Sequence, residues 1–324
     1  MTTTVTTRPA VSVAGLRKTF GAKVVLDGID LTVTEGTVFA LLGPNGAGKT
    51  TMVRILATLL PPDSGSIRVA GHDLARDPDE VRAAIGLTGQ FAAVDRLLTV
   101  QENLRLMADL HRLGRTEGGR RVARLIERFD LGESARKPVS LLSGGQQRRL
   151  DLAMTLVGNP RLIFLDEPTS GLDPRSRHAM WQIVRELVAE GVTVFLTTQY
   201  LDEADQLADR IAVLDHGRIV VQGTPDELKR RIPGGHLLLR FTDPDTLHAA
   251  AAVLATAHRD DDALTLQVPS DGDVASLRAV LGTLDRARVE PDHLTIHTPD
   301  LDDVFFTFTG APATTDATAE ETSR

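Results

Sequence analysis

The sequence predicts an α/β protein with a parallel sheet at its centre. Three largely apolar runs, at residues 38–42, 162–165 and 192–196, are typical of strands buried on both faces. Helical segments lie between them, and this alternation is typical of a parallel sheet joined by crossover helices. The chain has 324 residues, so we expect one large domain and a smaller one. Hydrophobic residues make up 42% of the chain, which is enough to bury a full core.

Short strand-like segments precede the first buried run. Residues 11–13 and 24–26 are apolar, and residues 29–33 (IDLTV) alternate between apolar and polar side chains, which favours strands. A glycine-rich loop then follows the run at residues 38–42, and residues 51–60 are expected to form a helix.

The middle of the chain, roughly residues 99–158, is predicted to be a helical insertion. Thr99 and Glu102 have the spacing of a capping box. Four apolar residues share one face of a second helix: Val122, Leu125, Ile126 and Phe129. A third helix follows Ser143 and stops before Pro160.

The C-terminal part has a different pattern and predicts a small α+β domain. Strands are expected at residues 236–241, 263–268, 288–290 and 293–297, and helices at residues 245–257 and 274–284. The predicted domains are residues 10–232 and 235–311, with a helical subdomain at about 92–158 and disordered segments at 1–9 and 312–324.

The composition and the distribution of apolar residues limit the possible functions. The chain has no cysteine, which excludes a cysteine-based zinc or redox site, and its net charge of −8 counts against a nucleic-acid partner. No apolar run approaches the ~20 residues that span a bilayer, and residues 1–10 lack the apolar core of a signal peptide. We therefore expect a cytoplasmic protein, for which another chain supplies any membrane part.

A glycine-rich loop predicts a phosphate-binding site. Residues 43–50 (GPNGAGKT) match the pattern G-x-x-x-x-G-K-[ST], with a buried strand before it and a helix after it. Backbone N–H groups and the positive end of the helix would face the phosphates, Lys49 would contact the β- and γ-phosphates, and the Thr50 hydroxyl would bind Mg²⁺. The predicted nucleotide-binding residues are Gly43, Pro44, Asn45, Gly46, Ala47, Gly48, Lys49, Thr50 and Thr51.

Two acidic residues follow the buried run at residues 162–165. Asp166, at the end of that strand, is a candidate Mg²⁺ ligand, and Glu167 is a candidate base that polarises the attacking water. The two acids could instead cap the strand before Pro168. Their occurrence in the same predicted sheet as a phosphate loop favours the catalytic interpretation.

Residues 142–146 (LSGGQ) resemble the signature of ABC ATPases and, as in that family, precede Asp166. The resemblance covers residues 11–230. It implies a P-loop ABC-type nucleotide-binding domain with a RecA-like parallel sheet core, an antiparallel β-subdomain and a helical insertion. It also implies that this chain binds ATP and Mg²⁺.

The resemblance assigns roles to three further residues. Phe20 would stack on adenine, and Gln90 would contact Mg²⁺ and communicate with a membrane subunit. Asp173 belongs to residues 170–173 (SGLD), which match the D-loop and would contact nucleotide.

The signature has a physical logic of its own. Ser143 and the backbone amides that follow it would open a helix and form an anion site. The resemblance implies that this site closes over nucleotide held by a second copy, in a head-to-tail dimer with two composite sites. The residues concerned are Ser143, Gly144, Gly145 and Gln146. An ordinary serine cap followed by turn glycines is the alternative.

One position departs from the family. A histidine normally follows the strand that ends here at Leu196, but Gln199 occupies its place. Glutamine can donate a hydrogen bond but cannot titrate. Our hypothesis is that Gln199 senses the γ-phosphate and that hydrolysis depends more on Glu167, so the predicted catalytic residues are Glu167, Gln199 and Lys49.

Gln199 and three segments narrow the resemblance to the daunorubicin/doxorubicin-resistance type of ATP-binding subunit. The segments are residues 86–95, 205–210 and 301–305 (LDDVF), although LDDVF could be a plain amphipathic helix turn. The resemblance implies a peripheral protein at the cytoplasmic face of the cell membrane that pairs with a separate permease and drives drug or natural-product export.

Two other functions remain open from sequence. One is the ATPase of an importer or of a lipid or polysaccharide exporter, which the cassette alone does not separate from a drug exporter. The other is a soluble ABC ATPase that acts on nucleic acid or ribosomes. Such proteins usually carry two cassettes, zinc cysteines or long coiled coils, and this sequence has one cassette, no cysteine and no sustained heptads.

Overall fold

The computed structural model describes residues 8–232, 235–270, 273–297 and 299–309. These residues form two compact units divided between Pro225 and Asp226, each with its own hydrophobic core. The division lies earlier in the chain than the predicted boundary at residues 232–235. Pro9 is already the first residue of a strand, whereas residues 1–7 and the predicted disordered tail at 312–324 lie outside the described residues.

The first unit alternates strands and helices. In chain order it contains β1 (Pro9–Phe20), β2 (Lys23–Thr34), β3 (Val38–Leu42), α1 (Lys49–Leu56), β4 (Ser64–Val69), β5 (His72–Asp73), α2 (Pro78–Ala84), β6 (Ile85–Thr88), α3 (Val100–Leu110), α4 (Arg115–Arg128), α5 (Gly144–Thr155), β7 (Leu162–Asp166), α6 (Pro174–Ala189), β8 (Thr193–Thr198), α7 (Leu201–Leu207), β9 (Arg210–Asp215) and β10 (Arg218–Gly223). Helix α8 (Pro225–Lys229) crosses the division between the units.

The central sheet has six strands in the order β10-β9-β3-β8-β7-β6. All neighbouring strands are parallel except the β9–β10 hairpin. Every residue of β3, β7 and β8 is buried, which confirms the predicted strands at the three apolar runs. Because parallel strands end at the same edge of a sheet, the segments that follow β3, β7 and β8 are brought together there.

A second sheet is antiparallel, in the order β2-β1-β4-β5. The predicted strands at residues 24–26 and 29–33 are one continuous strand, β2, because it pairs along its whole length with β1. The two sheets bury one apolar core that also includes the inner face of α1. The fold class implied by the family resemblance is therefore present.

The helical insertion contains α3, α4 and α5. Thr99 and Glu102 form the predicted capping box at the start of α3, and the predicted apolar face of α4 is buried at Val122, Leu125 and Phe129. No helix within the described residues is long and apolar enough to cross a membrane.

The second unit is a small α+β fold with the sheet order β12-β13-β11-β14. Its elements are β11 (His236–Arg240), α9 (Pro244–Val253), β12 (His258–Asp260), β13 (Thr265–Pro269), α10 (Val274–Ala287), β14 (His293–His297) and α11 (Leu301–Thr309). The predicted strand at residues 288–290 is wrong, because α10 extends to Ala287 and Arg288 caps it with a left-handed φ of 53°. Strand β12 was not predicted.

Candidate active site

The phosphate loop, residues 43–50, joins the end of β3 to the first turn of α1. A Cβ atom on Gly43 would lie 2.3 Å from the carbonyl oxygen of Leu214. Gly48 has a φ of +115°, and a Cβ there would lie 2.9 Å from the Val25 carbonyl oxygen. Glycine is therefore required at both positions. The first N–H groups of α1 have no partner within the helix, and the loop runs directly into this helix start, so the loop fits a phosphate group.

Lys49 lies inside this loop. Its Nζ donates to the carbonyl oxygens of Gly43, at 2.7 Å, and Pro44, at 3.2 Å. The same atom lies 3.3 Å from Oε1 of Glu167, and both side chains are almost fully buried. The predicted phosphate-binding cation and the predicted base are thus direct neighbours, although 118 positions separate them in the sequence (167 − 49).

Asp166 and Thr50 are also brought together. The Thr50 hydroxyl donates to Asp166 Oδ1 at 3.3 Å, and the Thr197 hydroxyl donates to the same oxygen at 2.6 Å. Carboxylate and hydroxyl oxygens are suitable Mg²⁺ ligands. Within the described residues, no group of three or more His, Cys, Asp or Glu side chains could hold a metal ion. Because Mg²⁺ prefers octahedral coordination, an ion held by Asp166 and Thr50 would also need phosphate or water oxygens.

Glu167 has an unusual backbone conformation. Its φ is +49°, a left-handed value that typically costs a non-glycine residue about 1–3 kcal/mol. Its N–H group donates to both the carbonyl oxygen and the Oγ1 of Thr197, each at 3.1 Å. On the side-chain end, Gln90 Nε2 donates to Glu167 Oε2 at 3.4 Å. Gln90 therefore lies beside the candidate base, which connects the segment after β6 to the site.

Gln199 and Phe20 lie at two different places in the first unit. Gln199 directly follows β8 and is half-buried, and the carbonyl oxygen of the preceding Thr198 accepts a hydrogen bond from Gly43 N at 3.3 Å. Phe20 ends β1, with its side chain half-exposed and Lys18 Nζ 5.5 Å from the ring centre. An exposed aromatic ring is available for stacking.

The signature residues occupy a different surface from the phosphate loop. Ser143 caps α5, and Ser143 and Gln146 form a reciprocal capping box. Ser143 and Gly144 are exposed. A cavity of about 310 Å³ lies beside them and has no phosphate-loop residue in its lining: Asp130, Ser143, Gly145, Gln146, Arg149, Arg175, Ser176 and Ala179. Within one chain, the predicted anion site is therefore separate from the loop it is proposed to complete.

Asp173 caps the helix that packs beside the signature. Its carboxylate accepts hydrogen bonds from Ser176 N, at 2.9 Å, and Ser176 Oγ, at 2.6 Å. These hydrogen bonds hold the pKa of Asp173 below its usual range. A Cβ on Gly145 would lie 2.6 Å from Ser176 Oγ, so the starts of α5 and α6 are in close contact.

Three buried charged residues of the site were not predicted. Arg148 and Asp151, on α5, contact the backbone around Glu167 and Gln90. Glu203, on α7, accepts hydrogen bonds from Thr169, at 2.8 Å, and Trp181, at 3.1 Å. The available signal was a charged residue on the apolar side of a predicted helix, as at Arg148 and Asp151, which share a helix face with Leu152. Thr197 was also missed, because a hydroxyl within an apolar strand carries no motif.

Comparison with known proteins agrees with this geometry. A model of the family described as ABC transporter matches residues 26–170. The daunorubicin resistance ATP-binding protein DrrA3 of Streptomyces coeruleorubidus is 48% identical over 93% of this chain and 96% of its own length. The chain therefore belongs to the family of ABC transporter ATP-binding proteins, which bind and hydrolyse ATP.

Within that family, the chain is similar over nearly its full length to proteins of the daunorubicin- and doxorubicin-resistance type. DrrA of Streptomyces peucetius is 47% identical over 96% of this chain and 97% of its own. The Nod factor export ATP-binding protein I of Ralstonia nicotianae is 37% identical over 93% of this chain and 94% of its own.

Solved structures of ATP-binding cassettes match about two thirds of the chain. An ATP-binding subunit of an ABC transporter aligns with a TM-score of 0.62 and 30% identity, over 68% of this chain and 92% of its own. A dimeric ATP-binding cassette in a post-hydrolysis state with bound ADP and Pi aligns with a TM-score of 0.60 and 28% identity, over 66% of this chain and 98% of its own.

Proposed function

We propose that this chain is the MgATP-hydrolysing subunit of an exporter that moves a drug or natural product through a separate membrane permease. The observation that carries this proposal is the similarity, at 44–48% identity, to proteins named for daunorubicin or doxorubicin resistance. The chain covers more than nine-tenths of their length.

The contacts around Lys49 support a specific order of events. Its ammonium group is shared among two loop carbonyls and Glu167. The β- and γ-phosphates of ATP compete for this ammonium, because they carry more charge than the carbonyls. Lys49 then turns to the phosphates, which frees Glu167 Oε1 to accept a proton from the attacking water.

Thr50 and Asp166 are suited to hold Mg²⁺, with Gln90 and Gln199 close to the transferring phosphate. When bound, the ion neutralises charge on the phosphate oxygens. Thr197 keeps Asp166 oriented through its 2.6 Å hydrogen bond. Phe20 would stack on the adenine ring.

A second copy of the chain would complete the site. The exposed start of α5 carries Ser143 and Gly144, and the cavity beside it contains the cationic side chains of Arg149 and Arg175. A helix start and cationic side chains attract anions. The dimeric cassette with bound ADP and Pi supports a pair of copies. In the head-to-tail pair that we propose, Ser143–Gln146 and Asp173 of one copy reach nucleotide on the other.

A permease contact is supported by exposed apolar side chains near Gln90. Phe91, directly after Gln90, is 86% exposed, and Leu97 and Leu141 are 89% and 73% exposed. The segments that carry the two leucines are hydrogen-bonded to each other, from Ser140 N to the Arg96 carbonyl oxygen. Exposed large apolar side chains of this kind mark protein contacts. The chain would thus act as a peripheral subunit on the cytoplasmic side of the membrane.

The similarity to a Nod factor export protein supports a second candidate cargo. That relative is 37% identical over nearly the full length, so export of a lipid or polysaccharide compound is the alternative to drug efflux. The cargo path would belong to the permease, and the ATPase site of this chain serves either function.

The test is transport in inverted membrane vesicles that contain the chain together with a candidate permease. ATP-dependent accumulation of daunorubicin is expected with the native chain and not with Glu167→Gln. The matched control is Glu190→Gln, on an exposed glutamate paired with Arg128, which should transport normally. ATP hydrolysis without daunorubicin accumulation would favour the second cargo, and transport that survives Glu167→Gln would overturn the mechanism.

A further inference from the structure

Arg148 is a buried arginine on α5 whose guanidinium contacts four backbone carbonyl groups. Nε donates to the Pro168 oxygen at 2.9 Å, and Nη2 donates to the oxygens of Asp166 and Glu167, each at 3.2 Å. Nη1 donates to the Gly89 oxygen at 2.6 Å. The side chain therefore joins the segment that carries the candidate base to the segment that carries Gln90.

The guanidinium is fixed in this place by electrostatics as well as by geometry. Burial lowers the pKa of Arg148, and the nearby carboxylates of Asp151, Asp166 and Glu203 oppose that shift. Arginine stays protonated in proteins, so the charge must be satisfied by these carbonyls and by Asp151, at 3.4 Å. Loss of these partners would leave a buried charge uncompensated, which is strongly unfavourable. The guanidinium is therefore expected to keep all of these contacts.

Arg148 stabilises the strained peptide of Glu167 from the carbonyl side. The N–H side of the same residue is held by Thr197 on β8, and the φ of +49° lies between these two anchors. The direction of the Glu167 carboxylate towards Lys49 follows from this backbone conformation. A change at Arg148 would therefore move the carboxylate without removing it.

The segment around Gln90 is held in the same way. Arg148 binds the carbonyl group of Gly89, and Asp151 accepts a hydrogen bond from Ala93 N at 3.0 Å. Both side chains come from α5, and they lie three residues apart on one face of that helix. Gln90 thus lies between two anchors on α5.

We propose that Arg148 is a positioning residue for ATP hydrolysis and that α5 couples the two nucleotide sites of the dimer through it. The exposed start of α5 carries Ser143 and would contact the partner's nucleotide, whereas Arg148, five positions later (148 − 143), holds Glu167 and Gln90 of its own chain. A shift of α5 on nucleotide contact would therefore change the position of the base in the other site. The coupling rests on the proposed head-to-tail dimer; the positioning does not.

The test compares Arg148→Lys with a matched arginine variant. Lysine keeps the charge but has no planar fork to reach several carbonyls. We expect kcat to fall about 10- to 100-fold, with the dissociation constant of a fluorescent ATP analogue unchanged and the Hill coefficient for ATP reduced towards unity. Arg121→Lys is the control, because Arg121 Nη1 also donates to a backbone carbonyl, that of Val157, at 2.8 Å. It should leave all three values unchanged.

The outcomes separate the inference from the proposed function. The positioning role is overturned if Arg148→Lys has a normal kcat, or if Arg121→Lys loses kcat to the same extent. In either case, ATP hydrolysis by the native protein would still support the proposed ATPase function. A lowered kcat with an unchanged Hill coefficient overturns the coupling. If Arg148→Lys does not fold, Asp151→Asn is measured instead. This variant keeps the Arg148 guanidinium but weakens its ionic partner. A normal kcat and Hill coefficient for Asp151→Asn would overturn the proposal.

Discussion

Lys49 and Glu167 form a buried ion pair, with Nζ and Oε1 3.3 Å apart and side-chain exposures of only 4% and 8%. The pair places the predicted phosphate-binding cation and the candidate base in one location. A buried pair of this kind adds little net stability, but removal of one partner leaves an uncompensated charge. The stability and the activity of the protein are therefore linked at these two residues.

Lys49→Met should destabilise the protein more when residue 167 is the native glutamate than when it is replaced by glutamine. We expect Lys49→Met to cost about 3 kcal/mol of unfolding free energy, because it leaves the Glu167 carboxylate buried without its cation. In Lys49→Met/Glu167→Gln, at least about 1 kcal/mol of that loss should be recovered. Urea unfolding of the two single variants and the double variant measures the coupling. Strictly additive losses would show that the pair is not coupled.

Gly145→Ala should loosen the contact between α5 and α6. The new Cβ would lie 2.6 Å from Ser176 Oγ, which must move away from Asp173. We expect a loss of about 1–3 kcal/mol and a thermal unfolding midpoint that falls accordingly. Ser176→Gly should restore much of the loss in the double variant.

Gly144→Ala is the matched control for stability. A Cβ there would have no atom within 4 Å, so its unfolding midpoint should change much less than that of Gly145→Ala. Equal midpoints for the two variants would contradict the role assigned to the Gly145–Ser176 contact.

Gln199→Ala should lower kcat about tenfold or more, because a hydrogen bond to a charged group contributes about 1.5–3 kcal/mol. Gln199→His should be more active than Gln199→Ala, but its activity should depend on pH near the ordinary histidine pKa of about 6.5. Steady-state ATPase assays across that pH range test both variants. An Ala variant with native turnover would rule out a γ-phosphate sensor at this position.

Glu203 should make the unfolding free energy decrease as the pH rises, whereas a salt-bridged acid makes it decrease as the pH falls. Burial raises the pKa of its carboxyl group above the ordinary value of 4.5. The folded state therefore favours the protonated form. Its stabilisation is complete below the unfolded pKa and is lost as the pH rises through the folded pKa.

Glutamine keeps an uncharged carbonyl at this position but does not titrate. The unfolding free energy of Glu203→Gln should therefore exceed the native value by a margin that grows as the pH rises from about 4 to about 8. Urea unfolding at several pH values measures the margin, with Glu190→Gln as the exposed control. A margin that is constant or shrinks over this range would contradict the raised pKa.

Local patterns predicted the principal elements correctly where one physical rule dominated. Most residues in the runs that became β3, β7 and β8 are apolar, because both faces of the central sheet are covered. The capping box at Thr99 is a contact between residues three apart, so the sequence contains both partners. The strand predicted at residues 288–290 failed because a left-handed cap at Arg288 ends a longer helix, a choice that apolar alternation does not encode.

Sequence by itself determined the chemistry of this protein: a phosphate loop, Asp166, Glu167 and a signature, in an order that indicates an ABC-type ATPase. Only the tertiary structure decided how those residues are held. The left-handed peptide of Glu167 and its clamp between Thr197 and Arg148 depend on contacts between residues distant in the chain. Motifs record residue types at fixed spacings, whereas the position of a buried charge is set by every group that packs against it.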